Sequence, residues 1–214
     1  MEDFLQAIRD DHHNFDKGEL SGHVGNDPFA FFRIWYKEAF ESKQAEFHAM
    51  SVTTVNELHQ PSSRIVYLKE LTEQGFVYYT NYHSQKGHEI SGNPYSCALF
   101  FWNTLERQIR IEGKTIKVDE ATSDAYFASR PRGSQLGAWA SQQSEKLESR
   151  ETLESRIEEF GKRFPDEVPR PPHWGGYVLV PELIEFWQGR PSRLHDRIVF
   201  QKTDNQWMVF RKNP

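Results

Sequence analysis

Three groups of residues have the types and spacing to work on an anion. In the segment SDAYFASRPRGSQLGAWASQQS, Tyr126 and Arg130 stand four apart, the spacing that sets two side chains on one helix face, and Ser134 follows soon after the break at Pro131. A hydroxyl, a guanidinium and a second hydroxyl converging in space would hold a phosphate dianion, because the guanidinium offers phosphate oxygens a planar fork of donors. Tyr and Arg also pair on ordinary helix surfaces, and the spacing leaves that reading open. Near the C-terminus, EFWQGRPSRLHDRIVF gathers Trp187, Arg193, His195, Asp196 and Arg197 around a turn between strands. That set suits a planar anionic ligand, with a purely structural histidine as the alternative. The third group is a series of cations and amides at strand ends: Arg64 and Lys69 bracket IVYL, Lys86 follows TNYHSQ, and Gln108 and Arg110 fall within a strand. Charges beside buried strands are costly unless they meet an anion, although solvated strand termini would show the same pattern.

Other chemistries lack their residues. The nine histidines never fall at i, i+4 on a helix with a carboxylate partner, and the single cysteine cannot build a thiolate site, so no metal centre is expected. There is no G-x-S-x-G elbow, no P-loop and no G-x-G-x-x-G after a strand. A net charge of -5 gives no overall drive toward nucleic acid, so any anion site must be local. Cys97, inside the apolar run CALFFW, excludes an intramolecular disulfide and reads as a buried thiol in a reducing compartment. The start, MEDFLQAIRDDHH, lacks a basic region followed by an apolar one, and no apolar run approaches membrane-spanning length, so a soluble cytoplasmic protein is expected.

The elements that must position these residues are mostly strands. Asp27-Pro28 reads as an N-cap with proline in the first turn, after which Phe32, Trp35, Tyr36, Ala39 and Phe40 recur at helical spacing. From about Met50 to Val118 the runs SVTTV, RIVYL, FVYYT, CALFFW and QIRIEGKTIKV predict a meandering antiparallel sheet. Several are apolar at both parities, which predicts cover on both faces, as in a closed or nearly closed barrel. In QIRIEGKTIKV, Ile109 and Ile111 share one parity and Ile116 and Val118 the other, which predicts a glycine bulge at Gly113. Helix is expected from Asp119 to about Ser141, and again after Ser149, where Leu153, Ile157, Phe160 and Phe164 make one stripe. Beyond the stiff PDEVPRPPHWGG, the runs YVLVP, LIEFWQG, RIVFQK and QWMVF read as further strands. The organisation expected is an N-terminal segment over 1–26 and a single domain over 27–214.

At these residues the sequence resembles the pyridoxamine 5'-phosphate oxidase family, through RIVYLK, YYTN, LERQIRIEG, YFASRPRGSQLGAWASQQS, PPHWGGY and IEFWQGRPSRLHDR, in order from about Asp27 almost to the C-terminus. The resemblance implies a mainly β fold with packed helices (α+β), the FMN-binding split β-barrel. It also implies an obligate homodimer with FMN in clefts at the subunit interface, both subunits contributing to each site. It implies oxidation of pyridoxamine or pyridoxine 5'-phosphate to pyridoxal 5'-phosphate, with oxygen as acceptor and peroxide released. Carried over by motif, Arg64, Ile65, Val66, Tyr67, Leu68 and Lys69 run along the flavin. Tyr79, Thr80, Gln85, Lys86, Gln108, Gln143, Ser144, Trp187 and Arg197 complete its contacts. Lys69, Tyr126, Arg130 and Ser134 fall at the substrate phosphate, and Arg193, Leu194 and His195 at the substrate ring. Arg193 and His195 are the catalytic pair, orienting substrate and assisting proton removal without either being assigned as an essential base. Arg197 would stabilise the anionic reduced flavin.

Two departures stand out. Ser84-Gln85-Lys86 replaces the family's usual Ser-Arg-Lys, which implies somewhat weaker FMN binding. His12-His13-Asn14-Phe15, ahead of Lys17-Gly18, stands where family members often carry Arg-Arg-x-Tyr, which leaves open whether 1–26 closes as a lid or is a mobile terminal segment. The alternatives are a split-barrel flavin oxidase with another substrate, such as a cyclic biosynthetic intermediate, and a flavin or pyridoxal-phosphate carrier without turnover. Retention of SRPRGS and RLHDR argues against the first of these.

Overall fold

Asp27 caps helix α1 (Pro28–Glu41) by accepting a 2.8 Å bond from the Phe29 N–H, and Pro28 sits in the first turn, where a missing N–H costs nothing. The computed structural model describes residues 14–20, 22 and 24–214, so His12 and His13 lie outside the described residues. The chain divides into two compact units. The first holds the described residues up to Phe47 with Phe100–Arg110 and Leu183–Pro214; the second holds His48–Leu99 and Ile111–Glu182.

In the first unit, α1 buries Phe32, Trp35 and Ala39, as the 3–4 spacing requires, while Phe40 of the expected stripe is 64% exposed. Phe32 packs on Phe100 (5.6 Å between centroids), Trp35 meets Phe186 edge-on (5.3 Å), and Phe186 meets Phe200 (5.7 Å). Each such fully buried ring contributes about 2–3 kcal/mol. Strand β8 (Asp196–Thr203) pairs antiparallel with β9 (Gln206–Arg211) and with the end of β7 (Trp174–Gln188), in the register Trp187↔Arg197.

In the second unit, β1 (Ala49–Val55) pairs with β2 (Pro61–Tyr67) and with β5 (Tyr95–Trp102), while β4 (Phe76–Asn81) pairs with β3 (Glu70–Leu71) and β7. With β6 (Arg107–Lys117), the strand order among the described residues is β2-β1-β5-β6-β7-β4-β3. Helix α2 is Gln85–Gly92, α3 Glu120–Ala128, α4 Arg132–Ala140 and α5 Arg150–Arg163. Three of the four residues of the expected α5 stripe, Ile157, Phe160 and Phe164, pack on a cluster of Phe127, Leu136, Val168 and Trp174. No described helix is long and apolar enough to cross a membrane.

Five local expectations are corrected. YVLVP and LIEFWQG are one strand, β7. Pro181 falls where β7 changes partner, from β4 (up to Leu179) to β8 (from Leu183), so neither of those two ladders depends on its missing N–H. Gly113 is no parity switch: Ile109, Ile111, Gly113 and Thr115 are all buried and Ile116 is 47% exposed. The glycine is there for closeness, since a methyl group on it would lie 2.0 Å from the Val180 carbonyl oxygen. Gly113→Ala is therefore expected to cost about 3 kcal/mol, read as a fall in the urea midpoint; an unchanged midpoint would mean the strands part freely. Cys97 is partly exposed rather than buried. The strand faces are not covered throughout, since Ile65 and Tyr67 on β2 are 62% and 43% exposed. Finally α3 ends at Ala128, so Tyr126 and Arg130 do not share a helix face: Arg130 lies in the turn between α3 and α4.

Candidate functional site

A cleft of about 1000 Å³ opens within the second unit, between β2, β4, α2, the α3–α4 turn and the segment after α4. It brings together most of the residues singled out above. Arg64, Ile65, Val66, Tyr67 and Lys69 line it from β2 and just beyond, Tyr79 and Thr80 from β4, and Gln85 and Lys86 from α2. Tyr126, Arg130 and Ser134 line it around the proline turn, and Gln143 and Ser144 after α4. Leu68 does not line it; its side chain is buried, 6% exposed, while its N–H donates to the His48 carbonyl. The exposed apolar residues Ile65 and Tyr67 are thus accounted for as cleft wall.

Helix α2 was not expected from the sequence, and it places Lys86. Ser84 caps it, its hydroxyl accepting from the Gly87 N–H, and Lys86 in the first turn is 6% exposed. The Lys86 ammonium donates to Thr80 Oγ1 (3.0 Å), Ser84 Oγ (3.1 Å) and Gln143 Oε1 (3.1 Å). Burial, then repulsion from Arg64, brings its pKa down to about 8, against a partial counter-effect of Glu89. Glu89, 7% exposed and one turn further along α2, accepts from Thr54, Ser62 and Gln85 and pairs with Arg64 at 3.4 Å. Burial alone would raise its pKa; those hydrogen bonds and the Arg64 charge win and hold it below the usual carboxylate value.

Elsewhere along the cleft, Tyr79 and Tyr126 stack at 3.8 Å between centroids with 13° between planes, and Trp174 lies parallel to both, 5.6 Å and 6.2 Å away. Burial pushes the Tyr79 hydroxyl up to about 12, so it stays a neutral donor at physiological pH. The Arg130 guanidinium sits 4.5 Å from the Trp174 ring centroid, and its Nη1 is buried without a hydrogen-bond partner. A buried cationic donor with no hydrogen-bond partner on the wall of a cleft is suited to take an anion's oxygen as its partner. Trp174 was missed in the sequence, although its motif PPHWGGY was in view; an aromatic after a proline run gives no sign of what it will stack on.

The remaining candidates, Gln108, Trp187, Arg193, Leu194, His195 and Arg197, belong to the first unit, where Trp187, Arg193 and Arg197 lie around His195. Trp187 and His195 are 4.5 Å apart, and Phe15 meets both edge-on, at 5.6 and 5.3 Å. The strap carrying Phe15 is tied down by the backbone N–H groups of Asp16 and Lys17, which donate to Glu106 (2.9 and 3.0 Å), and by that of Leu20, which donates to Asp196 (3.0 Å). His195 Nδ1 accepts from the Arg190 N–H (3.1 Å), which puts the ring proton of the neutral imidazole on Nε2. Burial, then the charges of Arg193 and Arg197, lowers its pKa and keeps it neutral. Ser192 and Arg193 both take left-handed backbone conformations, φ 57° and 61°, a strained turn that presents the arginine. Arg197 is clamped by Glu185 through Nε (2.8 Å) and Nη2 (3.0 Å), and the same carboxylate accepts from Arg110 (2.8 Å). Leu194 is 69% exposed.

Comparison with known proteins matches residues 36–164 to the family model described as pyridoxamine 5'-phosphate oxidase. The chain belongs to the pyridoxamine 5'-phosphate oxidase family. Residues 174–214 of this family member match a second model, the pyridoxine 5'-phosphate oxidase C-terminal dimerisation region. Among its relatives, a pyridoxine/pyridoxamine 5'-phosphate oxidase of Paraburkholderia xenovorans (strain LB400) is 50% identical over 204 residues, covering 94% of this chain and 96% of its own. One of the same name from Burkholderia mallei (strain SAVP1) is 48% identical over 214 residues, covering 98% and 100%. Among solved structures, PhzG from Burkholderia lata 383, in complex with tetrahydrophenazine-1-carboxylic acid, superposes with a TM-score of 0.87 at 25% identity, covering 93% of this chain and all of that one. A pyridoxamine 5'-phosphate oxidase-related, FMN-binding protein of Nostoc punctiforme shares the fold, with a TM-score of 0.70 at 17% identity and coverage of 89% and 100%. The family's split-barrel fold, mainly β with packed helices, is that of this chain.

Proposed function

We propose that this pyridoxamine 5'-phosphate oxidase family member is a pyridoxal 5'-phosphate synthase. It oxidises pyridoxamine or pyridoxine 5'-phosphate with bound FMN and oxygen, releasing hydrogen peroxide, and ammonia from the amine, and it works as a homodimer. The observation that carries this is a cleft with two separate cationic elements: Lys86 beside Arg64, and Arg130 with a buried unpartnered Nη1 above Trp174. Two phosphates, one on the cofactor and one on the substrate, match two such elements. The cleft residues fit FMN, since it offers buried cations, amide and hydroxyl partners at Thr80, Gln143 and Ser144, and a volume at the upper end of ordinary cofactor pockets.

When bound, FMN would supply the redox chemistry, hydride acceptance from the substrate and return of the electrons to oxygen. The protein's share is binding and positioning. Lys86 and Arg64 would hold the cofactor phosphate, with Gln85, Gln143 and Ser144 beside them on the cleft wall. Ile65, Val66, Tyr67 and Tyr79 would line the rest of the flavin; Gln108, Trp187 and Arg197 are further flavin contacts by the family resemblance, in a homodimer whose two subunits both contribute to each site. Lys69, Tyr126, Arg130 and Ser134 take the substrate phosphate, and Arg193 and His195 orient its ring. A neutral His195 with its proton on Nε2 enters as a hydrogen-bond donor there, and it becomes a proton acceptor only after giving that proton up.

The likeness to PhzG favours a second reading, an oxidase of a carboxylated polycyclic intermediate. The substrate-phosphate group around Arg130 weighs against it. Purified protein with FMN absorbance bands, given pyridoxamine 5'-phosphate in air, should produce pyridoxal 5'-phosphate and peroxide in equal amounts. Bound flavin without turnover would favour another substrate or a carrier, and failure to bind added FMN would end the flavin reading.

A further inference from the structure

Among the described residues no carboxylate pairs with Arg130, and its Nη1 is buried without a hydrogen-bond partner. The guanidinium lies against two aromatic rings instead: its central carbon is 4.5 Å from the Trp174 ring centroid and 5.5 Å from that of Phe127. The difference matters chemically. A carboxylate would hold the arginine but also neutralise it and occupy its donors, whereas a ring face attracts the cation through its quadrupole and leaves the N–H groups for a phosphate.

Trp174 is itself firmly placed. It is 6% exposed, Phe127 meets it edge-on at 5.1 Å, and its backbone carbonyl accepts from Arg170 Nη1 (2.8 Å). Its plane lies within 3° of Tyr126 and 12° of Tyr79, which stack on each other at 3.8 Å. One indole therefore backs the arginine and runs parallel to the tyrosine of the same group.

We propose that Trp174 is a positioning residue for the substrate's phosphate: its ring face holds Arg130 in the cleft wall without neutralising it and keeps Tyr126 aligned beside it. This rests on the reading of the cleft as a site for a phosphorylated B6 substrate, and it assigns Trp174 an effect exerted through Arg130.

The test uses the FMN-loaded protein, with steady-state kinetics for pyridoxamine 5'-phosphate and inhibition by inorganic phosphate, which shares only the anion with the substrate. Trp174→Leu should raise KM by about tenfold, the size of a partly desolvated cation–π contact, and raise the phosphate inhibition constant in parallel. Its kcat and FMN affinity should stay within about twofold of wild type, the pattern of lost ground-state binding. In an Arg130→Ala background the same substitution should add less than about twofold, because its effect passes through the arginine. A packing role alone predicts losses that multiply in the double variant. Multiplying losses, an unchanged KM, or a KM that rises while phosphate inhibition does not, overturns the proposal. Should Trp174→Leu not fold, Trp174→Phe decides: its smaller ring face should raise KM about threefold with Arg130 present and not without it, and any other pattern overturns the proposal. An Arg130→Ala variant with unchanged KM removes the phosphate reading of the cleft itself, and the proposal with it.

Discussion

Arg130→Ala is expected to raise the KM for pyridoxamine 5'-phosphate by about a hundredfold, the size of a lost charge-assisted fork to phosphate, and to leave FMN affinity nearly unchanged. The asymmetry follows from where the residue sits. Arg130 lies in the turn after α3, over Trp174, with Nη1 buried and unpartnered, while Lys86 and Arg64 sit on α2 and β2 in networks that do not include it. Burial lowers the guanidinium's pKa, so the free protein carries the cost of a desolvated cation that a substrate dianion would relieve. Removing it should therefore not unfold the protein. Arg130→Lys should recover only part of the loss, because an ammonium keeps the charge without the planar fork. Steady-state kinetics with an FMN titration on each variant decides the matter. A loss shared equally by substrate and FMN would place Arg130 at the cofactor, and no loss would remove it from the site.

Lys86→Met is expected to weaken FMN binding by two orders of magnitude or more, roughly the value of a buried charge-assisted contact to phosphate. The pH dependence carries the same signature. With its pKa near 8 in the ligand-free protein, Lys86 is charged at neutral pH and loses its proton as pH climbs past that value. FMN binding takes up that proton, so affinity should be level around neutrality and fall above pH 8, by up to about tenfold per pH unit; in Lys86→Met the alkaline fall should vanish. The stability of the FMN-free protein runs the opposite way. A lysine whose folded pKa lies below its unfolded value leaves the unfolded chain holding more protons between about 8 and 10.5, so folding stability rises with pH across that window. An alkaline fall that persists in Lys86→Met would assign the titration to another group.

Some of this was legible in the sequence because it depends on neighbours a few residues away. Asp27-Pro28 announces α1, and Ser149 begins α5, because a cap and a first turn involve only adjacent groups. Short β-rich runs between turn-forming stretches mark the strands, and a series of motifs in order marks the family. The sequence also put Tyr126, Arg130 and Ser134 together, though for a reason only half right: the cleft gathers them, but a turn rather than a shared helix face brings Arg130 in.

Other features come from groups far apart in the chain, and no local pattern can carry them. Gly113 is required because β7 passes against it, and Pro181 falls where β7 exchanges β4 for β8. Whether Lys86 is an ordinary lysine or one with a pKa near 8 depends on how deeply α2 is buried and on Arg64, twenty-two residues earlier in the chain. Glu89 looks like any acidic helix residue until Thr54, Ser62 and Arg64 converge on it from two other strands. The sequence by itself determined the family, the strand-rich architecture and the inventory of cations. Only the tertiary structure decided which of those cations are neutralised, which are desolvated and which still lack a partner, because desolvation and long-range charge are properties of the packed chain and not of its order.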